Sequence, residues 1–493
     1  MINNDNGRSE APWPVRLLLF AVISSAMAGG MGWGIRGQYG HESGAMIAGA
    51  LVSLTLVLFF VPQVLSLAAA RAAAMMTVGI GIGGTMTYGQ TVGLTHDIEL
   101  AGNWEALRWG MLGLFIKGGI WISFAGTFLG MGLGGVRYRP LEMLFLMLFL
   151  IGALFFGRWL LNSPFDPANK VLPAIYFSDS WYFEPDKIDL KPRPEIWGGL
   201  LVALAVLVLY VGIVRRDTLA IRMAIVGFIA GGLGFPGGQS VQAFHTWNLE
   251  SFTTGSLSHY PIFKFINWWN MMETGFGLIF GAVIAFGLWL NRRHIAIGKS
   301  APEVCLSPTV EVILVVVHTI LLISSEFLRL PGAANIIGQY TNYGIIMCVL
   351  PLVGIVGGRL WPYLLILPVV VAPICGKQMR SLVYGDNALY SIPSGWMLFV
   401  MIPMGVCLIV SCWLISKSDS KPSARHFSAI ALLVCTCMYL VFNTYFFQFA
   451  WPWKEWTVRT PNQTLFGLFA VGLVVAAISR GMLTRENSEG GSR

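Results

Sequence analysis

The chain has 493 residues, of which 55% are apolar and only 11% charged. A water-soluble domain carries about 25% charged residues, so a soluble multidomain protein is excluded and a surface facing lipid is implied. The formal charge of +8, from 32 basic and 24 acidic residues, calls for no nucleic acid partner, because basic residues collect in the cytoplasmic loops of membrane proteins.

Residues 1–13 read as a polar cytoplasmic tail. About fourteen apolar stretches of spanning length follow, a span needing roughly 20 residues at about 1.5 Å each. They lie near 14–34, 44–62, 72–93, 109–136, 141–162, 196–214, 217–236, 270–291, 305–328, 341–358, 360–376, 394–416, 427–447 and 464–480. Only Gly358, Arg359 and Leu360 separate the tenth from the eleventh, so a hairpin entering and leaving from one side is the alternative there. The fold class is therefore an all-α polytopic membrane protein embedded in the lipid bilayer. The first stretch, with Arg16, an apolar run and Ala26-Met27-Ala28, also resembles a secretory signal peptide. Its recurrence in mid-chain favours its retention. The tail 485–493 is polar and expected to be disordered.

With fourteen spans, 18 of the 32 basic residues fall in the even-numbered loops and the tails. Both termini are then cytoplasmic, and an integral cytoplasmic (inner) membrane location is expected. The odd-numbered loops, 163–195 and 239–269 above all, hold most carboxylates and many aromatic residues, which suits an extracytoplasmic cap. All seven cysteines lie beyond residue 304, mostly inside apolar spans, and imply neither a disulfide framework nor a metal site. No nucleotide-binding loop and no cofactor motif occurs.

The first span ends Ala28-Gly29-Gly30-Met31-Gly32-Trp33-Gly34-Ile35-Arg36-Gly37-Gln38, and the seventh ends Ala230-Gly231-Gly232-Leu233-Gly234-Phe235-Pro236-Gly237-Gly238-Gln239. Glu42-Ser43-Gly44 and Glu273-Thr274-Gly275 then open the second and eighth spans. A shift of six spans predicts two parallel six-helix repeats, 14–214 and 217–416, with two additional helices over 427–480. Four of the nine glutamines follow glycine: Gln38, Gln90, Gln239 and Gln339. Glycine runs weaken helices by about 1 kcal/mol per residue relative to Ala, and backbone freed inside a membrane needs protein or water as partner. The reading is of glycine-rich broken helices whose amides converge on a polar vestibule. Helix packing is the competing reading, strongest for the small-xxx-small pairs Gly79/Gly83 and Gly126/Gly130.

Charge at membrane depth is costly and tends to be functional. Glu42 and Glu273 occupy matching places, where they would cap a helix or bind a cation, proton or solute hydroxyl. Arg36 has no counterpart in the second half; it would neutralise Glu42 or hold an anionic group bidentately. His41 and His245 complete the set. His41-Glu42 lacks the second histidine of a zinc protease, Ala45 standing in its place. Lys117 needs a carboxylate partner that position alone does not name. His96, Asp97 and Glu99 would be an acid–base trio or a solvated loop.

The pattern predicts a secondary, ion-coupled transporter of a small polar solute, a sugar or hydroxylated acid, driven by sodium or protons. Arg36, Gln38, His41, Glu42, Gln90, Gln239, His245, Glu273 and Gln339 would bind solute or ion, without metal. The alternative is an extracytoplasmic glycosyl- or acyltransferase using a lipid-linked donor, with His96, Asp97, Glu99, Asp179 and Glu184 as acid–base groups. A third reading is an assembly subunit whose glycines are helix contacts.

Overall fold

The computed structural model describes residues 14–178, 182–184, 186–187, 191–298, 303–327, 334–386, 388–418 and 424–482. The tails expected at 1–13 and 485–493, and Asp179, lie outside them. The described residues are helical and form no strand. Thirteen helices are long and apolar enough to cross a membrane, so the protein is a multi-pass membrane protein in contact with lipid. In chain order, α1 spans Val15–Arg36, α2 Glu42–Phe60, α3 Ser66–Gly83, α4 Trp104–Leu133, α5 Pro140–Leu161, α6 Trp197–Val214 and α7 Thr218–Trp247. The next are α8 Trp268–Leu290, α9 Pro308–Phe327, the shorter α10 Gly344–Gly357, α11 Trp361–Leu382, α12 Ile392–Ser416, α13 Ala424–Phe446 and α14 Thr460–Gly481.

The insecure junction between α10 and α11 is a capped turn. Glu311 of α9 accepts the N–H groups of Leu360 (2.7 Å) and Trp361 (3.3 Å), and Arg71 of α3 donates to the carbonyl of Gly358 at 2.8 Å. Helix ends leave unpaired amides and carbonyls, and one charge of each sign satisfies them here.

Six helices close into a ring, and small residues set the approach at every contact. Gly32 of α1 lies on Ala48 of α2, Gly49 of α2 on Thr77 of α3, and Gly83 of α3 on Trp121 of α4. Gly118 of α4 faces Gly231 of α7, Gly238 of α7 meets the Met272 carbonyl of α8, and Gly277 of α8 faces Gly29 of α1. A Cβ on Gly29, Gly277, Gly118 or Gly231 would fall on a carbonyl oxygen of the opposing helix. The ring thus draws on both expected halves.

Broken helices are not what these glycines make. α1 runs unbroken through Gly29–Gly34, and α7 runs unbroken through Gly231, Gly238 and Gln239. Even Pro236, which removes one ladder N–H, does not end α7. Tight packing against α4 and α8 outweighs the modest cost of glycine in a helix. Aromatic side chains fill the ring's interior. The Trp33 ring lies 5.1 Å from Trp121 and 4.4 Å from Phe276, and Phe276 stacks on Phe235 at 4.7 Å.

Long loops cluster at the end of the ring where α1 finishes. Lys117, buried in α4, is the anchor of loop 163–195. Its ammonium donates to Glu195 at 2.6 Å and to Thr91 at 2.8 Å. Glu195 also accepts from Ser178 (2.5 Å), the Phe177 N–H (2.9 Å) and the Trp197 indole (3.1 Å). A buried ion pair holds when its remaining hydrogen-bonding positions are filled in this way.

Candidate functional site

α1 and α2 are joined by the tight turn Gly37–His41. Gly40 has a φ of +84°, a left-handed conformation that glycine adopts without Cβ strain. The turn brings Arg36 back over the filled interior of the ring. Arg36 is 1% exposed, with its guanidinium 4.6 Å from the Trp33 ring, 5.3 Å from Tyr88 and 5.5 Å from Trp121. Aromatic faces attract a guanidinium, which helps to hold this charge away from water.

The counter-charge is Glu273. Arg36 Nη2 lies 3.4 Å from Glu273 Oε1 and also donates to the Tyr88 hydroxyl. Tyr88 in turn donates to Glu273 Oε1 at 3.3 Å. Asn270, one helical turn before Glu273, donates to Glu273 Oε2 at 3.2 Å and to the Gly34 carbonyl at 2.6 Å. Burial lifts the Tyr88 phenol above its ordinary range, so it keeps the proton it donates. The cluster is a closed network on α1, α8 and the segment after α3.

Above it opens a cavity of about 510 Å³, lined by Arg36, Gln38, His41, Tyr88, Gln90 and Glu273, with Arg193, Trp269 and Arg459 also facing in. Small-molecule sites commonly measure about 300–1,000 Å³. A larger cavity of about 690 Å³ lies where Arg71, Arg137 and Glu303 meet. There Arg137 pairs with Glu303 at 2.7 Å, Arg71 donates to two backbone carbonyls, and Arg139 is exposed on the wall. In the smaller cavity the Arg36 Nε and Gln38 Oε1 atoms are buried and make no hydrogen bond among the described residues, as is true of Arg71 Nε beside the larger one.

Of the residues expected to share a site, Arg36, Gln38, His41, Gln90 and Glu273 meet at this cavity. The others do not. Gln239, inside α7, donates to Thr95 at 2.7 Å. His245 stacks on Trp268 at 4.4 Å. Gln339 is exposed on the helix Ala334–Asn342. Glu42, the first residue of α2, forms no ion pair among the described residues, and Arg36 pairs with Glu273 instead of Glu42. The matching phrases differ in backbone: Gln38 sits in a turn and Gln239 in a helix, while Glu42 opens α2 and Glu273 lies in the second turn of α8. A spacing match therefore did not translate into a matched position.

Gln90 also fastens the loop above the cavity. Its amide donates to the Lys191 carbonyl at 2.8 Å and accepts the Arg193 N–H at 3.2 Å, which sets Arg193 at the cavity wall. Tyr88, Asn270, Arg193, Trp269 and Arg459 were not flagged in the sequence. Asn270 had a readable signal, sitting three residues before Glu273 on one helix face. His96, Asp97 and Glu99 stay at the surface: His96 is 3.6 Å from Asp97, and Glu99 is 3.9 Å from Lys187.

His41 adds a pH dependence of stability. His41 is exposed at the cavity rim, and partial enclosure by protein, with Arg36 and Lys377 near, lowers its pKa below 6.5. The unfolded chain then takes up this proton near pH 6.5, and the folded chain at lower pH. The stability linked to His41 is complete above pH 6.5 and is lost progressively as pH falls below it. The thermal midpoint of wild type should drop between pH 7 and pH 5, and His41→Gln should flatten part of that drop. Identical slopes for the two proteins would contradict the assignment.

Comparison with protein-family models, with curated proteins and with solved structures finds no match for this chain.

Proposed function

We propose that the protein is a secondary, ion-coupled transporter of a small polar solute, with the cavity above Arg36 and Glu273 as the solute site. The observation that carries this reading is the buried, opposite-charge pair at the floor of a water-reachable cavity. Arg36 and Glu273 sit at the ends of two helices that come from distant parts of the chain and touch through Gly29 and Gly277. A solute or ion that alters the charge of either partner changes the balance between two ring helices, which is the kind of bias alternating access requires.

In this reading the cavity face is extracytoplasmic and both termini are cytoplasmic, in the inner membrane, as the basic residues suggest. The related glycine phrases, one closing α1 and one inside α7, would belong to two carrier halves, 14–214 and 217–416. Glu273 is the coupling group, taking a proton or a sodium ion as the solute engages Arg36. A membrane transferase is less well supported, because His96, Asp97, Glu99 and Glu184, which would do its acid–base work, lie outside the cavity.

The test is uptake into proteoliposomes under an imposed proton or sodium gradient. Wild type should concentrate solute only with the gradient present, and Glu273→Gln should lose gradient-driven accumulation by about tenfold or more, a loss on the scale of one buried charge–charge coupling of about 1–3 kcal/mol. Gradient-independent turnover of a lipid-linked donor, with no uptake, would replace this reading by the transferase.

A further inference from the structure

The charges around the cavity do not balance. Three guanidiniums face it, those of Arg36, Arg193 and Arg459, against the single carboxylate of Glu273. Lys377, on the far side of Gly40, is engaged elsewhere: it lies 3.3 Å from Glu326 and donates to the Tyr39 carbonyl at 2.5 Å. Arg193 and Arg459 form no ion pair among the described residues, and the Arg459 guanidinium rests 4.2 Å from the Phe447 ring. Two positive charges are left over beside a buried ion pair.

Arg36 is buried at the cavity floor, Arg459 is half-buried and Arg193 is exposed at the mouth, so positive charge runs from solvent down to the floor and attracts anions. Guanidinium is also the group that matches carboxylate and phosphate geometry bidentately. Arg36 supplies a second observation independent of the count. It is 1% exposed and its Nε makes no hydrogen bond among the described residues. Gln38 lines the same wall, and Trp269 brings an apolar face for a short carbon skeleton.

We infer that the ligand of this cavity is a small dianion, a dicarboxylate or a phosphate monoester, held by Arg36, Arg193 and Arg459. This inference rests on reading the cavity as a ligand site and narrows the polar solute to one charge class. A neutral sugar would leave two guanidiniums unpaired, and a monocarboxylate would leave one. Glu273 and the ligand share Arg36, and the two loop arginines take the remaining anionic oxygens.

Calorimetric titration of the full-length protein in nanodiscs tests this without any gradient. The probes are succinate, glycerol phosphate, acetate and glucose. At least one of the first two should bind about tenfold or more tightly than acetate, and glucose should bind more weakly still. Arg193→Gln and Arg459→Gln should each weaken dianion binding by about tenfold, as loss of one charge-assisted contact does. Both lie in loops, and an unchanged melting temperature would show that each variant folds. The preferred dianion separates a dicarboxylate ligand from a phosphate ester. Glucose binding as tight as the dianion, dianion binding indifferent to both substitutions, or binding of none of the four probes would overturn the inference. Dianion binding without gradient-driven uptake would sink the transport reading alone. Glucose uptake without dianion binding would sink this inference alone.

Discussion

Glu273→Ala should destabilise the protein by about 3–5 kcal/mol and abolish solute uptake, while Arg36→Met combined with Glu273→Leu should recover much of the stability and none of the activity. The reason is the asymmetry of buried ion pairs. Removing one partner strands the other in a low-dielectric interior, whereas replacing both by apolar groups of similar volume is often neutral. Arg36 is 1% exposed and enclosed by Trp33, Tyr88 and Trp121, so the little water that reaches it from the cavity is a poor replacement for Glu273. Tyr88 and Asn270 would lose their acceptor as well, and each buried group left unpaired costs about 1–3 kcal/mol. Chemical denaturation of wild type, Arg36→Met, Glu273→Leu and the double variant gives the coupling energy directly. Equal loss in the single and double variants would mean that the pair contributes nothing through its charges.

The second large effect concerns the glycines of the ring. Gly231→Leu and Gly277→Leu should each destabilise by more than the usual overpacking cost of about 1–3 kcal/mol. The atoms in the way are backbone carbonyls, Gly118 for the first and Gly29 for the second, and neither can rotate aside. The conservative Gly231→Ala variant makes the test sharper. In a helix free of such contacts, Ala is preferred to Gly by about 1 kcal/mol, so a hinge glycine replaced by Ala would stabilise the helix and slow its motion. A packing glycine replaced by Ala should instead destabilise and push α4 and α7 apart. The sign of the change in thermal midpoint decides between the two roles.

Much of the architecture was legible in composition and hydropathy. The apolar stretches fall close to the observed helices, because span length is fixed by the bilayer and not by tertiary contacts. The pairing of Arg36 with Glu273 was not legible, since it depends on α1 crossing α8 across 237 positions of sequence. The matching phrases at Glu42 and Glu273 pointed to the right carboxylate for an incomplete reason: repetition located both, and only geometry separated the one beside Arg36 from the one that opens α2. The glycine tracts misled in a physical way. Glycine density signals both helix rupture and close helix approach, and the two differ only in what lies opposite. At Gly29 and Gly231 another backbone lies opposite, which no local pattern encodes. Arg193 and Arg459 sit in loops with no periodicity, and their inward position follows from Gln90 fastening the loop and from packing on Phe447.

Thiol labelling at the cavity wall tests the central claim most directly. In a background with the exposed Cys305, Cys412 and Cys437 changed to Ser, Gln38→Cys places one reactive group beside Arg36. A membrane-impermeant maleimide should modify it in unliganded protein, and the dianion that binds should slow that modification by about tenfold at saturating concentration, as occupancy of the site requires. A Cys at Gln339, outside the cavity, should be labelled at the same rate with and without the dianion. Full reactivity at position 38 in protein saturated with its ligand would show that the cavity over Arg36 and Glu273 is not where the ligand binds.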